Sequence, residues 1–202
     1  MIHPATELRP VNKDKGLGIF AKSLIPKGTL TYVKDDLEIE IGPDDPRLND
    51  PLLKGIIETY SYIDERGMRI VSWDHAKYVN HCCHCNTMST GYGFEIAIRD
   101  ISAGEEITDE YGMFNFDYRL DLKCSKSGCR GTVSGTDLED YYIEWDQKVK
   151  SALQYFDDVA QPLLPFLNDS VLQNVKTYLI TNQGYKSVLS LAPEDKAHPS
   201  SV

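Results

Sequence analysis

The sequence predicts a mainly β fold with some α, with the helices gathered in a C-terminal extension. Short β-favouring runs are broken by glycine and proline through most of the chain. Apolar and acidic residues alternate from Leu37 to Ile41, and apolar residues recur at helical spacing after Leu138.

Residues 1–42 read as β-rich. Thr29, Leu30, Thr31, Tyr32 and Val33 favour extended backbone, and Gly16, Gly18, Pro26 and Gly28 mark turns. Leu37, Ile39 and Ile41 alternate with Glu38 and Glu40, the period of a half-buried strand. Residues 43–51 are a proline-rich loop. Residues 52–60 predict a short helix with Leu52, Leu53, Ile56 and Ile57 on one side, and residues 68–73 and 94–99 predict further strands. The segment KCSKSGCRGTVSG around Cys124 is too poor in apolar residues to hold itself together by burial. Beyond it, Leu138, Tyr141, Tyr142, Trp145, Val149, Leu153 and Phe156 define an amphipathic helix that Pro162 and Pro165 end. Val171, Leu172, Val175, Tyr178 and Leu179 suggest a second helix, and from Ala192 onward the tail is expected to fray.

With 31 acidic and 21 basic residues the net charge is −10, which disfavours direct nucleic-acid binding and suits a basic peptide or protein. No apolar run approaches the ~20 residues that span a bilayer. The opening MIHPATELRP lacks the basic and apolar regions of a signal peptide, so an intracellular location is expected, cytoplasmic or, in a eukaryote, nuclear. Five cysteines without a leader suggest reduced thiols or metal ligands rather than a disulfide framework.

Three segments carry candidate chemistry. In KGLGIF, Lys15 to Phe20, two glycines permit a sharp turn and a close backbone approach, as a hairpin or as a ligand loop. YVNHCCHCN, Tyr78 to Asn86, holds an Asn-His pair and three cysteines, and adjacent cysteines cannot all ligate one tetrahedral zinc without strain. ISAGEEITDEYG, Ile101 to Gly112, leads through a glycine turn and two acids to Tyr111, which alone reads as a core aromatic with a wet hydroxyl.

In this order, the segments resemble the SET-domain family of protein-lysine methyltransferases. Gly16-Leu17-Gly18 is similar to its glycine motif, Asn80 to Asn86 to its NHSCxPN, Gly104 to Gly112 to its GEELTxDYG, and Cys124-x4-Cys129 to the end of its post-SET cysteine module. The resemblance covers roughly residues 8–133. It implies a SET domain over residues 1–133 with a post-SET segment at about 120–133, beyond which the helical spacing gives an extension over 134–191 and the polar end a flexible tail over 192–202. It also implies several small β-sheets and a pseudoknot joining the Asn-His and tyrosine segments.

The implied cofactor is S-adenosylmethionine, held by Lys15, Gly16, Gly18, Ile19, Phe20, Lys77, Tyr78, Asn80, His81 and Tyr111. Lys77 stands where an arginine is often found, keeping the charge but not the fork. Tyr111 is the implied catalytic residue, with Phe114 and Phe116 lining a lysine channel. Asp109 takes the place of a common aromatic whose identity helps set the number of methyl groups added. Its carboxylate either pairs with the substrate amine or points to solvent. For zinc, Cys83, Cys124 and Cys129 match three ligands, but Leu122 replaces the first post-SET cysteine. Either Cys85 or His84 supplies the fourth ligand or the site is empty.

The chemistry asks little of the protein beyond alignment, dryness and a neutral amine. Free lysine has a pKa of about 10.4, and a nearby cation and an apolar channel both lower it. Proton loss to water then needs no dedicated carboxylate base. The implied substrate is a protein bearing a target lysine, such as a histone tail or ribosomal protein. The competing readings are a catalytically silent relative that grips a basic peptide and a zinc-stabilised structural protein.

Overall fold

The computed structural model describes residues 1–116, 118–122 and 126–193. Strands β1 (Thr6–Asn12) and β2 (Gly16–Ala21) form an antiparallel hairpin. The Asn12 side chain accepts the backbone N–H groups of Asp14 and Lys15 at 2.9 and 2.8 Å, and Gly16 closes the turn at φ +72°. The first glycine therefore serves a hairpin.

Next come β3 (Leu30–Val33), β4 (Ile39–Ile41), α1 (Lys54–Tyr60), β5 (Ser61–Ile63) and β6 (Arg69–Val71). They are followed by β7 (Asn80–His81), β8 (Thr87–Ser89), β9 (Phe94–Ala97), β10 (Glu106–Asp109), β11 (Leu120–Asp121) and β12 (Thr132–Val133). The chain continues into α2 (Asp137–Leu153) and α3 (Asp169–Thr181). Among the described residues the strands form four small sheets, ordered β1-β2-β10-β7, β3-β9-β8, β4-β6-β5 and β11-β12. The fold is mainly β with some α, as the sequence predicts. In the first sheet β10 runs parallel to β7, with Thr108 opposite Asn80 and Asp109 opposite His81. The Asn-His segment and the tyrosine segment are thereby paired.

The larger core joins Leu30, Met88, Phe94 and Ile96 of the β3-β9-β8 sheet to Trp145, Val149 and Leu153 of α2 and Val175 of α3. Helix α2 thus closes the main core. Each such fully buried aliphatic side chain contributes about 1.5–3 kcal/mol. Acidic Asp137, Glu139 and Asp140 in its first turn suit the positive end of the helix dipole. A smaller core gathers Ile19, Ala21, Ile25, Ile101 and Ile107 beneath the first sheet.

Some local expectations need correction. Helix α1 begins at Lys54 and buries only Ile57, while Leu52 is 82% and Ile56 57% exposed. One short helix on the rim has no second layer to cover its apolar side. The Leu37–Ile41 alternation is inverted around Glu38, whose side chain is buried while Leu37 and Ile39 are exposed. Glu38 accepts from the Tyr32 hydroxyl at 2.7 Å and lies 3.4 Å from the N-terminal ammonium, so specific partners outweigh apolar burial there. Helix α2 ends at Leu153, well before Pro162, and Phe156 enters the core from the following turn. Of the tail expected from Ala192, residues 192 and 193 are described, and Ala192 is buried.

Candidate functional site

Tyr111 begins a short 3-10 turn directly after β10, so the strand delivers its ring to the wall of a cavity of about 730 Å³. Its hydroxyl donates to the Val79 carbonyl at 2.6 Å. Its backbone N–H donates to His81 Nδ1 at 3.1 Å, which leaves the imidazole proton on Nε2. Burial lowers the His81 pKa, so the ring stays neutral. Burial, together with Asp109 and Glu95, raises that of Tyr111, so its hydroxyl stays protonated. Phe114 and Phe116 lie 5.3 and 6.1 Å from the Tyr111 ring, between centroids, and line the same cavity.

Two acids flank this ring from different sides. Glu110 accepts both Arg130 Nη1 at 2.9 Å and Arg130 Nη2 at 2.6 Å, as well as the Gly112 N–H at 2.9 Å. Arg130 Nη2 also reaches Asp137 at 3.1 Å, and its guanidinium lies 5.0 Å from the Tyr141 ring centroid. Helix α2 presses on Gly112 so closely that an added Cβ would sit 2.7 Å from Trp145 and 2.9 Å from Asp137. The tyrosine turn is thus held from behind by a charge clamp and a helix.

Asp109 faces the cavity with no basic partner among the described residues. Its Oδ1 accepts the Glu110 N–H at 2.8 Å, while Oδ2 is buried with no hydrogen-bond partner among the described residues, and Glu95 lines the same cavity. Burial raises the Asp109 pKa well above the ordinary value, and Glu95 raises it further. Burial likewise pushes Glu95 up to about 7, against a hydrogen bond from Asp109. Both shifts favour the protonated form of these neighbouring carboxyl groups over two buried charges. Of the alternatives for Asp109, solvent is excluded, because the residue is 1% exposed.

The glycine strand lies on another side of the sheet. The Asn80 amide donates to Leu17 O at 3.0 Å and to Glu106 Oε1 at 2.9 Å, and Lys15 Nζ lies 3.5 Å from Glu106 Oε2. A Cβ on Gly18 would fall 2.5 Å from Val11 and 2.9 Å from the Asn80 amide, so this second glycine permits a close approach. Ile19 is fully buried, leaving its backbone alone for a ligand, and Phe20 packs under Arg9, whose guanidinium is 4.7 Å from its centroid. Lys77 lines the cavity, but its ammonium donates to Ser72 O at 3.2 Å and Asp74 O at 2.9 Å. Tyr78 stands edge-on to Tyr60 at 5.3 Å.

The cysteine set is assembled in part. Cys83 and Cys129 bring their sulfurs to 3.8 Å, and the backbone N–H groups of Arg130 and Gly131 point at them from 3.4 and 3.3 Å. Cys124 lies outside the described residues. Cys85 is buried in the core, and His84 stands over Gly128. Among the described residues no group of three or more His, Cys, Asp or Glu is placed to hold a metal ion. A four-ligand zinc site is therefore not assembled there. Among those residues, too, no helix is long and apolar enough to cross a membrane.

The expected residues fall into two groups. Asp109, Tyr111, Phe114, Phe116 and Lys77 share the cavity, while Lys15 and Asn80 hydrogen-bond to Glu106 with Gly18 close against them. His81 bonds to the Tyr111 backbone. Sequence reasoning missed Glu95, Glu110 and Arg130. A lone acid inside the apolar run FEIAIR was a usable signal for Glu95, and the arginine after Cys129 for the clamp.

Residues 16–112 match the family model of the SET domain. No curated protein matches the chain by sequence. Among solved structures, it is similar to the crystal structure of KRYPTONITE in complex with mCHG DNA and SAH, at 19% identity and a TM-score of 0.44. That match covers 64% of this chain and 29% of the other.

Proposed function

We propose that this chain, whose residues 16–112 match the SET-domain model, transfers a methyl group from S-adenosylmethionine to the side-chain amine of lysine in a protein substrate. The observation that carries this reading is the setting of Tyr111: a protonated hydroxyl, anchored by the Val79 carbonyl, on the wall of a largely aromatic cavity. Because the O–H points at Val79, the lone pairs of the tyrosine oxygen remain to accept an amine N–H and orient the nitrogen. Tyr60, Tyr62, Phe114 and Phe116 line the same space and keep bulk water from it.

The residues present fit the cofactor. Nothing lies within 4 Å of where a Gly16 side chain would stand, so the backbone is open to a ligand beside the cation of Lys15 and the amide of Asn80. Lys15, Gly16, Gly18, Asn80, His81 and the Ile19 backbone would hold the cofactor, which when bound supplies an electrophilic methyl group on a sulfonium. The net charge of −10 favours a basic protein substrate such as a histone tail or ribosomal protein, encountered inside the cell.

The test is incubation with labelled S-adenosylmethionine and a lysine-rich protein mixture, followed by identification of the labelled proteins. Tyr111→Phe should lower turnover about a hundredfold, the usual cost of one oriented polar group in a transition state. Cofactor affinity by calorimetry and the thermal melt should stay near the parent's. A folded Tyr111→Phe variant that methylates at the parent rate would make Tyr111 a core aromatic only. A parent that binds the cofactor and a basic peptide without turnover would be the silent module instead.

A further inference from the structure

We infer that the Glu95–Asp109 carboxyl pair is the proton acceptor for the substrate amine, an inference that rests on the methyl-transfer reading. Both residues line the cavity that Tyr111 faces. Asp109 is 1% exposed, and its buried Oδ2 has no N–H or hydroxyl donor among the described residues. A buried, cation-free acid aimed into a cavity is costly unless a ligand supplies the missing charge. A lysine side chain, long, apolar along its stem and cationic at its tip, has the matching chemistry.

Other titratable groups stand around the pair among the described residues. From β3 and β5, Tyr32 and Tyr62 have pKa values raised by burial and stay protonated. So do Tyr111 after β10 and the Cys85 thiol, again chiefly through burial. Glu110 is bound to Arg130, and Lys77 donates to loop carbonyls. The N-terminal ammonium favours the charged form of Glu95 from a distance, and Glu58 lines the cavity from α1. With one proton on two carboxyls, the pair carries a single negative charge and can take one more proton.

The step balances. An N–H bond of the ammonium breaks and its electron pair stays on nitrogen as the lone pair needed for attack. An O–H bond forms on the pair, whose charge goes from minus one to zero. Cation and anion both become neutral, the direction a dry apolar cavity favours. A route out for the proton is present, because Glu95 also lines a separate cleft of about 130 Å³ that carries the charged groups Lys34, Asp64 and Glu65.

Two readouts test this, one without cofactor. Infrared titration of the protein alone should show a carboxyl group changing protonation near pH 7, and Glu95→Gln should abolish that transition. In methyl transfer, the parent's rate at low substrate should fall on the acid side of the same pH. Glu95→Gln should lose that acid limb and run about a hundredfold slower near pH 7.5. If Glu95→Gln melts early, Asp109→Asn decides, since burial still holds the remaining acceptor up and the Asn amide still donates to it: its acid limb should persist near pH 7. A folded Glu95→Gln with the parent's rate and acid limb, or loss of the limb in a folded Asp109→Asn, would overturn the inference alone. No methyl transfer by the parent would instead overturn the reading beneath it.

Discussion

Asp109 and Glu110 are neighbours in the chain, and each is 1% exposed. Glu110 is met by a two-pronged guanidinium, whereas Asp109 is met by a second acid. Successive side chains at the end of a strand leave on opposite sides, so one residue reaches the α2 side and the other the cavity. The first is a satisfied ion pair that ties the tyrosine turn to α2. The second is a pair of carboxyl groups whose burial favours the protonated form. Equal burial thus yields opposite protonation, because the partner decides which form the site tolerates.

The largest effect is expected from making the two alike. Arg130→Met leaves Glu110 buried without a cation, as Asp109 is, and should reduce unfolding free energy by about 3–5 kcal/mol. Chemical denaturation measures this, and a loss below about 1 kcal/mol would mean that Glu110 finds water or another partner.

A smaller effect follows from titrating the other side. The folded pKa of Glu95, about 7, lies above its unfolded value of about 4.3, so the folded chain binds more protons between them. The stability from this group is fully present below about pH 4 and is lost as pH rises through about 7. Melts at pH 5 and pH 8 should therefore differ less in Glu95→Gln than in the parent. A variant as pH-sensitive as the parent would assign the slope to other groups. Glu40, held down to about 2 by Lys34 and Arg66, acts in a separate and more acid window.

The smallest effect is expected at a third acid on the same strand. Glu106 is partly exposed and lies 3.5 Å from Lys15. Lys15→Met should cost about 0–1 kcal/mol of stability, as exposed pairs do. Its consequence belongs to ligand binding: cofactor affinity measured by calorimetry should fall, and an unchanged affinity would remove Lys15 from the site.

The strands, the two C-terminal helices and the three motif segments were legible because they rest on local signals: period, turn residues and spacing. Tyr111, Asn80 and Gly18 stood out for the same reason. Leu37 and Ile39 misled because the partners of Glu38 come from Tyr32 and Met1, and Leu52 and Ile56 because α1 turns only Ile57 inward and leaves that side exposed. The sequence by itself determined the alternation of strands, the motif order and the chemistry of the tyrosine segment. Only the tertiary structure decided which acid became a clamp and which a proton-holding pair. Glu95, the neighbours Asp109 and Glu110, and Arg130 come from three separate segments, and a carboxyl's charge depends on whichever group lies within a few ångströms in space. Periodicity along the chain carries no record of that distance.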